Sequence, residues 1–134
     1  MSDQTAANLL EVSEVRGVTV VRFTRRSILD PMLIELAGQR LRALVHENNC
    51  RRLVLDFTNV ESVTSAMLGK LVALYNAVDS AGGRLVFAGV DPFLLQIFRL
   101  CNLPSNIPIH AREEDAVQSL MEGGTTNQSA TPPP

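Results

Sequence analysis

Apolar residues recur along the chain with two spacings, which predict strands and helices in alternation. Apolar and polar residues roughly alternate over 9–15, and a run rich in β-branched residues covers 17–24, so a β-hairpin with a turn at Gly17 is predicted. A continuous apolar run at 53–55 predicts a buried strand, and the segment 84–90 predicts another strand.

An Asp-Pro pair stands at the start of two predicted helices. Asp30 and Asp91 each offer a carboxylate to the free N–H groups of a first helical turn, and the proline that follows fits that turn without losing a bond. Leucines and other apolar residues at helical spacing then predict a helix at about 32–47. A short helix is predicted after Asp91, with Cys101 on its apolar side and therefore in the core.

The longest helical pattern begins at Thr64 or Ser65, after a polar loop, and stops at the pair Gly82-Gly83. Besides its apolar stripe, this helix carries a stripe of small residues composed of Ala66, Gly69, Ala73 and Ala77. Lys70 and Asn76 lie beside this stripe. Glycine inside a helix costs about 1 kcal/mol relative to alanine. Gly69 is therefore expected to allow a close approach, either by internal packing or by a docked partner, and helical spacing does not decide between the two.

The order of the elements predicts a single α/β domain. A short strand at 107–110 contains a proline, which favours a sheet edge, and a final helix is predicted at 111–121. Strands and helices alternate, so we expect one domain over 9–121 with a mixed sheet of about five strands and about four helices. By composition, residues 1–8 are expected to be flexible and residues 122–134 to form a disordered tail.

Composition and charge argue against several functions. The 134-residue chain has a net charge of -2, which gives no reason to expect nucleic acid or an anionic membrane as a partner. Cys50 and Cys101 lack metal-ligand neighbours, so no metal site is expected. No glycine-rich phosphate loop is present, and His46 and His110 have no partner motif, so neither an enzyme nor a bound cofactor is predicted.

No apolar run approaches the ~18 residues that span a bilayer and no signal peptide is evident. A cytoplasmic protein with reduced thiols is therefore expected.

The candidate chemistry lies where the central helix begins. A hydroxyl at a helix N-terminus can accept a phosphoryl group, because the free N–H groups and the helix dipole stabilise the added negative charge. Thr64 and Ser65 are both placed for this, although residues of this kind at a helix start are also ordinary caps.

Two stretches resemble the signature of the STAS-domain family. LVLDFTNVESVTSAMLGKLVALYNAV matches a strand ending in Asp, a loop of Asn-Val type and a hydroxyl-rich turn that opens a helix, and GGRLVFAGVDPFLLQIFRLCNL is similar to the strand, turn and short helix that follow. The functional group most similar is the anti-sigma factor antagonists. The resemblance implies a protein that binds a serine kinase/anti-sigma factor and so frees a sigma factor, and that lets go when the kinase phosphorylates it with ATP.

The resemblance also implies specific site residues. Alignment on Leu68-Gly69 makes Ser65 the phospho-acceptor, with Thr64 and Ser62 as the next candidates. It implies a partner-binding surface composed of Asp30, Asn59, Thr64, Ser65, Ala66, Met67, Gly69, Lys70 and Ala73.

Two of these residues depart from the family pattern. Thr64 stands where the family often has Asp, which removes a charge, and Met67 stands where it often has Gly, which is expected to add bulk at the docking site. The alternative function is a constitutive STAS interaction subunit of a transporter or larger signalling assembly that is not phosphorylated. The sequence gives no oligomeric state.

Overall fold

The computed structural model describes residues 9–101, 103–104 and 106–122. The strands are β1 Leu10–Val15, β2 Val18–Phe23, β3 Ser27–Ile28, β4 Arg52–Asp56, β5 Ser62–Val63, β6 Arg84–Ala88 and β7 Ile109–His110. The helices that lie wholly within the described residues are α1 Pro31–His46, α2 Ser65–Ser80, α3 Pro92–Leu100 and α4 Glu113–Glu122.

The main sheet has five strands in the order β1-β2-β4-β6-β7. β1 and β2 form the antiparallel hairpin, and the pairs β2–β4, β4–β6 and β6–β7 are parallel. The mixed sheet, the four helices and the edge position of β7 confirm the predicted α/β fold class. Gly17 has a φ of 84° in the hairpin turn, as a residue without a Cβ can adopt without strain.

The sheet is covered on both faces, which explains the continuous apolar runs within its central strands β4 and β6. Leu53 and Leu55 belong to the larger core cluster, which includes side chains from α1, α2 and α3. Val54, between them, points to the opposite face and belongs to a smaller cluster with side chains of β2, β6 and α4. Successive residues of a strand face opposite sides, so a run without polar residues requires a layer of helices on each side.

One boundary and one burial prediction need correction. Cys101 is exposed rather than in the core, because α3 ends at Leu100 and turns Leu94 and Phe98 inward instead. Helix α4 extends to Glu122, so the predicted tail begins one residue too early. The predicted flexible segment 1–8 and the remainder of the tail, 123–134, lie outside the described residues. No helix in the described part of the chain has both the length and the apolar character needed to cross a membrane.

A second, two-stranded sheet was not predicted, because its strands are too short to show a period. β3 and β5 pair in parallel, Ser27 with Ser62 and Ile28 with Val63. The carbonyl of Arg26 accepts hydrogen bonds from the N–H groups of Glu61 and Ser62 at 2.7 and 3.1 Å, which extends the pairing. This small sheet joins the segments that lead into α1 and α2.

Gly89 lies in close contact with Thr58, and a matched pair of substitutions tests what this contact contributes. Gly89 and Gly17 both have positive φ, 67° and 84°. A Cβ on Gly89 would overlap the Thr58 hydroxyl and lie 3.1 Å from the Thr58 Cα, whereas a Cβ on Gly17 meets no atom within 4 Å. Gly17→Ala should therefore lower the free energy of unfolding by only the left-handed backbone penalty, about 1–2 kcal/mol. Gly89→Ala should lower it by about 1–3 kcal/mol more through overpacking.

Chemical denaturation of the two variants and the wild type measures both differences. Equal losses for Gly89→Ala and Gly17→Ala would show that the contact with Thr58 carries no energy.

Candidate functional site

The small sheet brings the starts of α1 and α2 to the same place. Ile28 pairs with Val63, and two paired parallel strands advance together along the chain. Asp30 and Ser65, each two residues beyond this pair, therefore leave the ladder at the same end. From there α1 and α2 run packed against each other.

Thr64 is the N-cap of α2. Its backbone is extended and its hydroxyl accepts a hydrogen bond from the N–H of Met67 at 3.3 Å, which satisfies one free donor of the first turn. Ser62, two residues earlier, has its hydroxyl oxygen 3.1 Å from that of Ser27. Both Thr64 and Ser62 are half-buried.

Ser65 differs from these two neighbours. It is the first residue of α2, its side chain is exposed, and its hydroxyl makes no hydrogen bond to any residue that the structure describes. The free N–H groups of the first helical turn lie beside it. Of the three hydroxyls at this site, that of Ser65 is the accessible one.

Asp30 is the N-cap of α1, as its place before a proline predicts. One carboxylate oxygen accepts from the N–H of Met32 at 2.9 Å and, at 3.5 Å, from that of Leu33. The side chain is exposed, so its negative charge is held at the surface, at the same end of the ladder as Ser65.

The loop before α2 is anchored by a buried carboxylate that the sequence analysis did not single out. Asp56, only 4% exposed, accepts hydrogen bonds from the N–H of Thr58 at 2.9 Å and from the Thr58 hydroxyl. Phe57 and Val60 are buried, and the N–H of Val60 donates to the carbonyl of Phe57 at 2.9 Å. The loop therefore has a fixed course from β4 to the small sheet, and Asn59 lies at its exposed turn.

Arg22 balances the buried charge. It lies opposite Asp56 in the parallel pair of β2 and β4, with its Nε 3.7 Å from a carboxylate oxygen of Asp56. Its guanidinium also donates to both carboxylate oxygens of Glu113 at 2.7 Å and to Glu11 at 3.1 Å. The hydrogen bond to Glu113 raises the pKa of Arg22 above its ordinary value, against the opposing effect of burial. This network connects the loop before α2 to the first turn of α4. An Asp at the end of a buried strand was the one sequence signal for it.

The exposed face of α2 contains only part of the predicted partner-binding surface. Ala66 and Gly69 are exposed and Ala73 is half-buried. Met67 is 0% exposed and packs in the core, which corrects the expectation that its side chain adds bulk at a docking surface. A Cβ on Gly69 would meet no atom within 4 Å, so packing within the described part of the chain does not explain this glycine.

Lys70 has a structural partner within the chain. Its Nζ lies 2.6 Å from a carboxylate oxygen of Glu35 on α1. To reach Glu35 the Lys70 side chain crosses Gly38, where an added Cβ would lie 2.7 Å from the Lys70 Cδ. The hydrogen bond from Lys70 holds the pKa of Glu35 below its ordinary value. The salt bridge therefore links α1 and α2 across the one place on α1 where a glycine leaves room for it.

The described residues contain no group of three or more His, Cys, Asp or Glu side chains that could hold a metal ion. What the site does present is an accessible hydroxyl on a fixed helix start, with a shallow face of small side chains behind it.

The family model of the STAS domain matches residues 10–116 of the chain. Among curated proteins, the anti-sigma F factor antagonist of Paenibacillus polymyxa is 23% identical over 111 residues, which cover 83% of this chain and 93% of that protein. Among solved structures, an anti-sigma factor antagonist from Mycobacterium paratuberculosis has a TM-score of 0.71 and 24% identity, covering 84% of this chain and 92% of its own.

The anti-sigma factor antagonist SpoIIAA is similar in both of its solved forms. The unphosphorylated form has a TM-score of 0.66 and 16% identity, covering 84% of this chain and 97% of SpoIIAA. The phosphorylated form has a TM-score of 0.67 and 14% identity, covering 81% and 96%. Likenesses at this level of identity establish the fold, while the family model extends over most of the chain. The resemblance noticed in the sequence is confirmed, and the chain belongs to the STAS-domain family.

Proposed function

We propose that the protein is an anti-sigma factor antagonist of the cytoplasm whose activity is switched by phosphorylation. Unmodified, the surface around the start of α2 binds a serine kinase/anti-sigma factor and so frees a sigma factor. The kinase then transfers the γ-phosphoryl group of ATP to the Ser65 hydroxyl, and the phosphoprotein dissociates. The relatives that carry the name anti-sigma factor antagonist support the class of function.

The observation that carries the proposal is the accessible hydroxyl of Ser65. The Thr64 hydroxyl oxygen caps α2 by accepting a hydrogen bond, and the Ser62 hydroxyl is paired with that of Ser27. Ser65 alone of these three is exposed. A kinase can therefore reach Ser65 without breaking the cap or the small sheet.

The chemistry of transfer fits this position. The Ser65 oxygen forms a bond to the γ-phosphorus of ATP, the bond from that phosphorus to the β-phosphate oxygen breaks to release ADP, and the hydroxyl proton passes to a base of the kinase. The free N–H groups at the start of α2 then stabilise the phosphate. The product carries roughly 1.5 to 2 additional negative charges at pH 7.

The same modification opposes docking. A phosphate on Ser65 stands at the edge of the face formed by Ala66 and Gly69, where a bound partner would have to desolvate it. An unpaired charge buried in an interface costs several kcal/mol, and each 1.4 kcal/mol is tenfold in affinity. Asp30 is exposed at the same end of the ladder and is also negative, so its charge and that of the phosphate repel each other.

Gly69 gives independent support to the proposal that the exposed face of α2 binds a partner. Since no internal contact explains this glycine, we assign its role to a partner whose backbone or side chains approach α2 closely there. Asn59, Thr64 and Ala73 border this face and complete the proposed surface; the Met67 side chain is buried and takes no part in it.

Phosphorylation with the cognate kinase and ATP tests the acceptor. Ser65→Ala should abolish incorporation of phosphate, whereas Ser62→Ala, which removes the neighbouring hydroxyl of the small sheet, should be phosphorylated like the wild type. Mass spectrometry of the modified protein should locate the phosphate on Ser65. Phosphate that maps to another residue, with Ser65→Ala still modified, would contradict the assignment.

Substitution of Gly69 separates stability from binding. Gly69→Ala should raise the free energy of unfolding by about 1 kcal/mol, because alanine favours the helix and its methyl group enters open space. It should also weaken binding of the kinase/anti-sigma factor. Gly17→Ala is the control, because Gly17 lies in the turn between β1 and β2, at the opposite end of the strands, and should leave binding unchanged. Calorimetric titration and chemical denaturation measure both effects; unchanged binding by Gly69→Ala would remove Gly69 from the docking face.

A further inference from the structure

Three large apolar side chains are exposed at the starts of α1 and α3, and the proposed docking face on α2 does not include them. Leu29 is 54% exposed and Met32 is 72% exposed, on either side of the cap of α1. Phe93, the second residue of α3, is 63% exposed. We call these three residues the apolar rim.

The fold places the apolar rim on both sides of Ser65. Helix α3 follows β6, and helices α1 and α2 follow β2 and β4 through the short strands of the small sheet, so all three begin beyond the carboxyl ends of parallel strands. The crossovers run between successive neighbours in the order β2, β4, β6 and β7, and right-handed crossovers set α2 between α1 and α3. The segments before α2 and α3 are in contact, because Gly89 packs against Thr58.

Two arginines lie beside the apolar rim. Arg25 is exposed, lines one depression with Leu29 and Asp30, and has no ion pair among the described residues. Arg26 is also exposed and only loosely paired, its Nε lying 3.9 Å from Glu61.

The acidic groups of the same edge accept hydrogen bonds within the chain, and Asp30 keeps its negative charge at the surface. The carboxylates of Asp30 and Asp91 cap α1 and α3. Glu35 is held by Lys70. The surface next to Ser65 offers a partner apolar side chains and the cation of Arg25.

We infer that the apolar rim, with Arg25, is the outer part of the docking surface, and that the partner protein covers it with an apolar patch bordered by carboxylates. This inference rests on the proposed function and specifies its partner's chemistry. Ala66 and Gly69, which are exposed on α2, form the inner part of the same proposed surface. A phosphate on Ser65 has the same sign of charge as those carboxylates, so it repels the partner at the centre of the contact.

Alanine substitutions in the apolar rim test the apolar contact. Met32→Ala and Phe93→Ala should each weaken binding of the kinase/anti-sigma factor by about tenfold, the range of a buried interface anchor. Leu100→Ala is the matched control: Leu100 is 81% exposed on the same helix as Phe93, seven residues later and therefore about 10 Å away from the functional edge. It should bind like the wild type. Circular dichroism should show that all three variants are folded, since each side chain is largely exposed.

Charge reversal tests the carboxylates. Arg25→Glu should weaken binding by tenfold or more, with a loss that shrinks as salt is raised, because salt screens charges at the rim of an interface. Arg52→Glu, at the start of β4 and thus at the opposite edge of the sheet, carries the same change in net charge and should have little effect.

Binding measurements on the wild type and the variants distinguish a failure of the apolar rim from a failure of the proposed function. If the wild type binds the kinase/anti-sigma factor but Met32→Ala, Phe93→Ala and Arg25→Glu bind equally well, the inference about the apolar rim is overturned and the proposed function stands. If the wild type itself does not bind, the proposed function falls, and the inference about the rim falls with it.

Discussion

A buried carboxylate at the end of the central strand is the constraint on which the functional edge depends. A charge removed from water is tolerated only when hydrogen bonds and opposite charge compensate it. Asp56 meets this requirement through Thr58, which fixes the loop, and through Arg22 on the neighbouring strand. Arg22 in turn holds Glu113, so the helix on the far face of the sheet is tied to the same point. Close contact of Gly89 with Thr58 completes the arrangement and excludes any larger residue there.

From this fixed loop the chain enters a ladder of two residue pairs, which sets the geometry of the site. Because β3 and β5 are parallel, the starts of α1 and α2 lie together. Two helix N-termini at one edge combine their partial positive charges, which favours an anion there. One of them is capped by Asp30, a permanent negative charge, while the other begins with Ser65, a neutral hydroxyl. The edge is therefore suited to gain a charge by modification, and a modification there changes what it can bind.

Much of this structure could be predicted from the sequence, and the misses have physical causes. The periods of apolar residues predicted the strands and helices of the α/β fold. The two Asp-Pro pairs predicted two helix starts, and Asp30 and Asp91 do cap those helices. Met67 was misplaced because its role was taken from the resemblance, although it stands at helical spacing with Leu71 and Leu74, which are buried with it. Cys101 was misplaced because α3 ends just before it.

The site itself was predictable only in part. The hydroxyls at the start of α2 are visible in the sequence, but their accessibility depends on which of them caps the helix and which joins the small sheet. Arg22 and Glu113 are 91 residues apart, and no local pattern pairs them. Apolar side chains at a helix start, such as Met32, can face either the core or solvent, so only the folded chain shows that Met32 is exposed.

The central claim is that one phosphate on Ser65 switches binding. The most direct measurement is the affinity of the purified kinase/anti-sigma factor for the unmodified protein and for the protein phosphorylated on Ser65, by titration calorimetry under identical salt conditions. We predict that the phosphorylated form binds at least tenfold more weakly, which corresponds to about 1.4 kcal/mol. Equal affinities for the two forms would contradict the switch and would point to a constitutive interaction module.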